Sequence, residues 1–244
     1  MSESTSISGD KILSLVGDRA VPDQGLTVDI IADVICPWSR IGVQRLLTAI
    51  ESVHGPAELR WFPFQLNPDM APDGMALEHY LTSRFGDPKA VEPALLELTK
   101  LAAREGATMR FDRITRVPNT FDAHCLLHQA ADAGVQTELA LAFFNAYYEQ
   151  GDDLGDPTVL RRIADLNGLD KATIDAAFED ERLRTVVRAN EAMARNAGVA
   201  GVPNFLVNQR VFVVGAQEHD QLVGAIDRAL FGDLGDESET PVMH

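Results

Sequence analysis

Cys36-Pro37-Trp38-Ser39 is the segment of this sequence best suited to chemistry. A cysteine placed where an extended segment turns into a helix meets unpaired N–H groups and the positive end of the helix dipole. Both favour a thiolate, which is the nucleophilic form of the side chain. Ser39, one helical turn on, can direct its amide and hydroxyl at that sulfur. A lone cysteine reads first as a small buried hydrophobe, and that is the reading given to Cys125, the other cysteine of the chain. The Pro-Trp pair at a strand-to-helix junction takes Cys36 out of that class. Trp38 offers an apolar wall beside the thiol or plain packing, while Arg40 reads as an exposed helix residue.

A second unusual position is Gly201-Val202-Pro203, because a proline that opens a strand supplies no N–H and needs a reason to be there. Taken alone it reads as a loop entering an edge strand. His124 and His128 lie one turn apart, a spacing that suits metal ligands, but no third ligand accompanies them and no metal site is read. Phe143, Phe144, Tyr147 and Tyr148 follow helical spacing and are assigned to the core or to a subunit interface.

The elements that must position these residues follow from periodicity. Residues 26–34 (LTVDIIADV) are rich in β-branched side chains and read as a buried strand. Residues 38–53 read as a helix with Ile41, Arg45, Leu46, Ala49 and Ile50 on one stripe, stopped by His54-Gly55-Pro56. With a strand at 58–66 this makes a β-α-β unit, for which parallel strands and a right-handed crossover are expected. Helical patterns fill 76–85, 89–105, 120–133, 136–150, 157–167, 169–178 and 180–197. Strands at 204–207 and 211–214 flank a turn, and a last helix runs over 218–230. The predicted fold is α/β, with a four-stranded mixed sheet from residues 26–74 and 199–231 and an inserted helical domain over 75–198. Residues 1–25 read as a polar extension and 232–244 as an acidic tail.

Of the 244 residues 45% are hydrophobic, enough for a sizeable core, and the net charge of -16 argues against nucleic acid and anionic lipid as partners. No apolar run approaches the ~18 residues of a membrane span, and MSESTSISGD lacks a basic stretch followed by an apolar one. Two cysteines are too few for a disulfide framework. These features set the expectation of a cytoplasmic protein with no membrane partner.

VDIIADVICPWSRIG resembles the active-site signature of the FrnE-like branch of the DsbA family, and GVPNFLVNQRVFVVGAQ resembles that family's cis-proline loop, hairpin and Gly-Ala-Gln turn. WFPFQLNPDM and VPNTFDAHCLLHQA resemble its internal blocks, in the same order. The resemblance spans nearly all of residues 26–230. It implies a thioredoxin-like core with a helical insertion, Cys36 as attacking thiol and Pro203 as a cis-proline facing it. It also implies that Pro37, Trp38 and the Val202 backbone meet substrate, and that Asn119 and His124 face the site from the cap. Dimerisation through the helical domain is implied by the resemblance alone.

The chain departs from that pattern at Ser39, where the family carries its second cysteine. A CxxC pair resolves its own mixed disulfide because the second thiol is held at high effective concentration. CPWS lacks that thiol, so an external one must release Cys36. The expectation is a thiol-disulfide oxidoreductase acting as a monothiol on a thiol or disulfide substrate protein, with glutathione as co-substrate and no tightly bound cofactor. Kappa-class glutathione transferases and 2-hydroxychromene-2-carboxylate isomerases resemble the same fold and carry Ser-Pro-Tyr-Ser-like motifs, so a glutathione-dependent transferase or isomerase is the alternative. A peptide binder or redox sensor without turnover is the second alternative.

Overall fold

All seven residues of β1 (Leu26–Ala32) are buried, the pattern of a central strand covered on both faces. Helix α1 (Pro37–Glu51) starts with proline in its first turn, where the missing N–H costs nothing, and returns the chain to β2 (Ala57–Pro63). β1 and β2 pair in parallel with Ile30 opposite Trp61, the arrangement expected of the β-α-β unit. The computed structural model describes residues 25–53 and 55–232, so the N-terminal extension and acidic tail lie, apart from Gly25 and Gly232, outside the described residues.

The helical segment begins with two strands too short to leave a pattern in the sequence, β3 (Met75–Ala76) and β4 (Arg116–Val117), which pair antiparallel. Between them lie α2 (Leu77–Phe85), a 3-10 turn (Pro88–Val91) and α3 (Glu92–Arg104). Helices α4 (Phe121–Asp132) and α5 (Gln136–Asn145) follow, the latter running into a π turn (Ala146–Gln150). Next come α6 (Pro157–Leu166), α7 (Lys171–Glu179) and α8 (Glu181–Asn196). Asp156, Asp170 and Asp180 cap these three helices, each side chain accepting an amide hydrogen of the first turn.

β5 (Asn204–Val207) and β6 (Val211–Val214) form the hairpin, and α9 (His219–Phe231) closes the chain behind a reciprocal Glu218–Gln221 capping box. The sheet order is β2-β1-β5-β6, with β5 antiparallel to both neighbours. Asn208 and Gln209 take positive φ in the turn, and Asn208 Oδ1 accepts from the Thr27 amide at 2.7 Å, fastening the hairpin to β1.

Sheet and helices share one apolar core. Val28, Ile30 and Phe205 from the sheet meet Leu126, Phe143 and Phe144 from α4 and α5. Gln136 docks the helices on β2 by accepting from the Trp61 amide at 2.9 Å and donating to the Leu127 carbonyl at 2.9 Å. Arg45 clasps three parts of the chain together, bonding Glu105 after α3, Glu218 before α9 and the Ala216 carbonyl. Among the described residues no helix is long and apolar enough to cross a membrane.

Candidate active site

β1 ends at Ala32, and the turn that follows is closed by the Cys36 amide donating to the Asp33 carbonyl at 3.0 Å. Cys36 is the N-cap of α1, and its sulfur accepts from the Ser39 amide at 3.4 Å. The thiol in turn donates to the Val202 carbonyl at 3.5 Å, and the Val202–Pro203 peptide is cis. The cis-proline loop therefore faces the thiol as the sequence resemblance implies. Gly42 permits this approach, because a Cβ there would sit 2.7 Å from Pro203 Cγ and 3.1 Å from Ala216. Behind the motif, the buried Tyr148 hydroxyl donates to the Ile35 carbonyl at 2.5 Å and pins the residue before the cysteine.

The thiol is 3% exposed, and its resting state differs from the sequence expectation of a stabilised thiolate. Burial pushes the Cys36 thiol up to about 11; the side chain and amide of Ser39 pull it down, and the charge of Asp33 pushes it up again. Desolvation wins over the helix N-terminus. Ser39 Oγ is itself buried and, although near enough to favour the sulfur anion, makes no hydrogen bond of regular geometry.

Two clefts flank the motif. On one side Trp38, Val202, Pro203, Asn204, Gly215 and Ala216 border a groove of about 490 Å³. On the other, a pocket of about 320 Å³ lies between the motif and the first cap helices, bordered by Ile35, Pro37, Leu81, Leu95, Phe111 and Tyr147 among others. Among the described residues neither cleft has a charged side chain in its lining.

This geometry coincides with a match of residues 27–227 to the DSBA-like thioredoxin domain. The chain belongs to that family. The fold superimposes on a probable DsbA oxidoreductase from Streptomyces coelicolor with a TM-score of 0.76 and 28% identity, covering 90% of this chain and 93% of the other. The cytosolic disulfide reductase DsbM from Pseudomonas aeruginosa, solved with GSH, gives a TM-score of 0.57 and 22% identity over 83% of this chain and 95% of its own. A 2-hydroxychromene-2-carboxylate isomerase gives 0.62 and 16% over 83% and 95%. At those last two identities the likeness is one of fold.

Within this DSBA-like domain the structure brings Cys36, Ser39, Val202 and Pro203 together, with Pro37 and Trp38 on opposite clefts. Trp38 is 47% exposed and walls the cis-proline groove. Three other expectations need correction. Asn119 does not line either cleft beside the thiol; its amide donates to the Met70 carbonyl at 2.6 Å and its oxygen accepts from the Phe121 amide at 2.9 Å, on a polar cleft shared with Arg184 and Glu191. His124 is buried with its Nε2 3.5 Å from Asp33 Oδ1 and likewise lines neither cleft. Arg40 is buried too, its guanidinium donating to Gln44 and Asn145 and lying 6.0 Å from the Phe144 ring centre. Burial lowers the Arg40 pKa, and the Glu149 charge opposes that shift.

Sequence reasoning assigned Tyr148 to packing or to an interface and gave Asp33 no role. Both are near the thiol, and the only signal for Asp33 was its place three residues before Cys36 in the strand-to-helix turn. Cys125 is fully buried in α4, and its thiol is pushed up to about 12 by burial, with Arg184 nearby pulling the other way. Both cysteines are free thiols.

Proposed function

We propose that this protein is a thiol-disulfide oxidoreductase that works through the single thiol of Cys36. The observation that carries the reading is the Cys36 sulfur on the Val202 carbonyl at 3.5 Å, beside a cis-proline, at a helix N-terminus. An extended substrate lying along the 202–203 backbone would pair with the chain by strand addition and bring its sulfur to Cys36.

Cys36 gives up its proton, and its thiolate attacks one sulfur of a substrate disulfide. The S–S bond breaks, the leaving sulfur takes the electron pair and a proton, and a mixed disulfide remains on Cys36. Ser39 cannot resolve it. A first external thiol attacks the Cys36 sulfur and frees the reduced substrate; a second attacks that adduct and restores the Cys36 thiol. The two external thiols leave as one disulfide, so electrons balance. Glutathione fits as the external thiol, since a relative of this fold was solved with GSH. A cytoplasmic site of action is supported by the cytosolic origin of that relative and by the need for a reducing thiol pool.

The uncharged linings favour a transient encounter with glutathione over a resident tripeptide, because its carboxylates find no ionic partner there. They suit an apolar peptide segment. One observation favours the isomerase or transferase reading: the apolar pocket bordered by Pro37, which could take a small aromatic compound.

The test is glutathione-dependent reduction of a disulfide-bonded peptide. Loss of turnover in Cys36→Ser with retained turnover in Cys125→Ser supports the redox reading. Turnover that survives Cys36→Ser ends it.

A further inference from the structure

A third cleft, of about 400 Å³, lies between the loop after β2, the start of α4 and the side of α8. Unlike the two beside the thiol, it is lined by charges of both signs, Arg184 and Arg188 with Asp122 and Glu191. The reaction above makes no use of it.

Its buried wall holds more acceptors than donors. Gln65 and Glu191 are 5% and 7% exposed. Glu191 Oε1 accepts from the Gln65 backbone amide at 2.9 Å and from Arg195 at 2.7 Å. Glu191 Oε2 lies 3.2 Å from one arm of the Gln65 side-chain amide, and Asn119 Oδ1 lies 3.2 Å from the other arm. Asn119 is fixed in its orientation, because its nitrogen donates to the Met70 carbonyl and its oxygen accepts from the Phe121 amide. A primary amide donates from one arm only. If Gln65 donates to Asn119, its oxygen is set against Glu191 Oε2. If it donates to Glu191, its oxygen is set against Asn119 Oδ1, and the two share the single Phe121 N–H. Buried acceptors set against each other are costly, and a donor from outside the chain relieves the contact. An ammonium group suits this place, since it brings three donors and the charge opposite to that of Glu191.

The rim of the cleft offers the complementary charge. Arg184 is engaged by Asp122 at 2.7 Å and by the Ala177 carbonyl at 3.1 Å. Arg188 lies 4.7 Å from the Phe121 ring centre, which steadies its guanidinium, and its ion contact is the exposed Glu181 at 3.6 Å. Its remaining donors suit a carboxylate. Arg188 and Glu191 are three residues apart on α8, so their Cβ atoms are roughly 5–6 Å apart. That spacing fits an ammonium and a carboxylate carried on one carbon. A simple anion would meet Asp122 and Glu191, and a simple cation would meet two guanidiniums; a ligand with both signs avoids either penalty.

We propose that this cleft binds the ammonium–carboxylate head of an α-amino acid, with the ammonium at the Gln65 amide beside Glu191 and the carboxylate on Arg188. Pro68 and Pro72 give the rest of the ligand an apolar edge. Such a head comes from two sources, a free amino acid or the γ-glutamyl end of a peptide such as glutathione. The proposal does not rest on the reactivity of Cys36.

Isothermal titration calorimetry on the full chain tests it with leucine and with S-methylglutathione, whose blocked thiol cannot react with Cys36. Binding of leucine alone assigns the cleft to a free amino acid, and binding of S-methylglutathione assigns it to the γ-glutamyl head. For whichever ligand binds, Arg188→Ala and Glu191→Gln are each expected to weaken affinity roughly tenfold or more. N-acetylation of that ligand removes the ammonium and is expected to cost roughly as much. Glu191 also holds Gln65 and Arg195, so if Glu191→Gln does not fold, the half-exposed Arg188→Ala decides the matter. No heat of binding from either ligand, unchanged affinity in Arg188→Ala, or unchanged affinity after N-acetylation overturns the proposal.

Discussion

The Cys36 thiol donates to the Val202 carbonyl at 3.5 Å, so the proposed nucleophile and the backbone proposed to meet substrate occupy each other in the resting chain. A strand that pairs with this backbone must compete with that bond. Under the proposed function the sulfur is released from its acceptor as substrate arrives, which gives a buried, protonated thiol a route to act as a nucleophile. The helix N-terminus and Ser39 stabilise the anion once burial is relieved.

Stability is expected to fall at alkaline pH. The Cys36 thiol, ordinarily titrating near 9.0, holds its proton to about 11 in the folded chain. Its contribution is therefore complete below pH 9 and is lost as pH rises through 11, a change of about 2–3 kcal/mol. Urea unfolding at intervals from pH 8 to 11 measures it, and Cys36→Ala should flatten the fall.

Gly42→Ala is expected to push the cis-proline loop away from α1, since the added methyl meets Pro203 Cγ at 2.7 Å. The cost is about 1–3 kcal/mol of stability. Activity should drop further than stability explains, because Val202 moves with the loop; denaturant midpoints set beside turnover separate the two effects.

Tyr148→Phe removes the hydroxyl that donates to the Ile35 carbonyl. A loss of about 1–3 kcal/mol is expected in chemical unfolding. Reaction of Cys36 should also become less uniform as the turn before it loosens.

Ser39→Cys restores the missing partner thiol on the first turn of α1. An intramolecular disulfide is expected to form on oxidation, giving a mass two hydrogens lower than the dithiol, and reduction of insulin should rise. If the two sulfurs do not join, the turn geometry inferred from the Ser39 amide at 3.4 Å is wrong.

Much of this architecture is legible in the chain because its signals are local. The β-branched run of β1 and the turn between β5 and β6 each act through neighbours a few residues away. The Cys36–Pro203 pairing was legible only through motif order, since nothing local to Gly201-Val202-Pro203 announces its partner. What escaped were contacts that exist only after the cap closes on the sheet. Arg40 carries a charge that reads as surface, yet the end of α5 buries it against Asn145 and Phe144. Asn119 was expected at the thiol, but its side chain is spent on the backbone around Met70 and Phe121. The thiol's resting charge was misjudged because sequence shows a helix N-terminus and does not show how deeply the residue is buried.

The most direct measurement is intact-protein mass spectrometry after incubation with oxidised glutathione, with Cys36→Ser and Cys125→Ser in parallel. A single glutathione adduct on Cys36, absent in Cys36→Ser, present in Cys125→Ser and removed by excess thiol, is the predicted result. A chain that gains no adduct at Cys36, or gains it at Cys125 instead, would contradict a mechanism that runs through the Cys36 mixed disulfide.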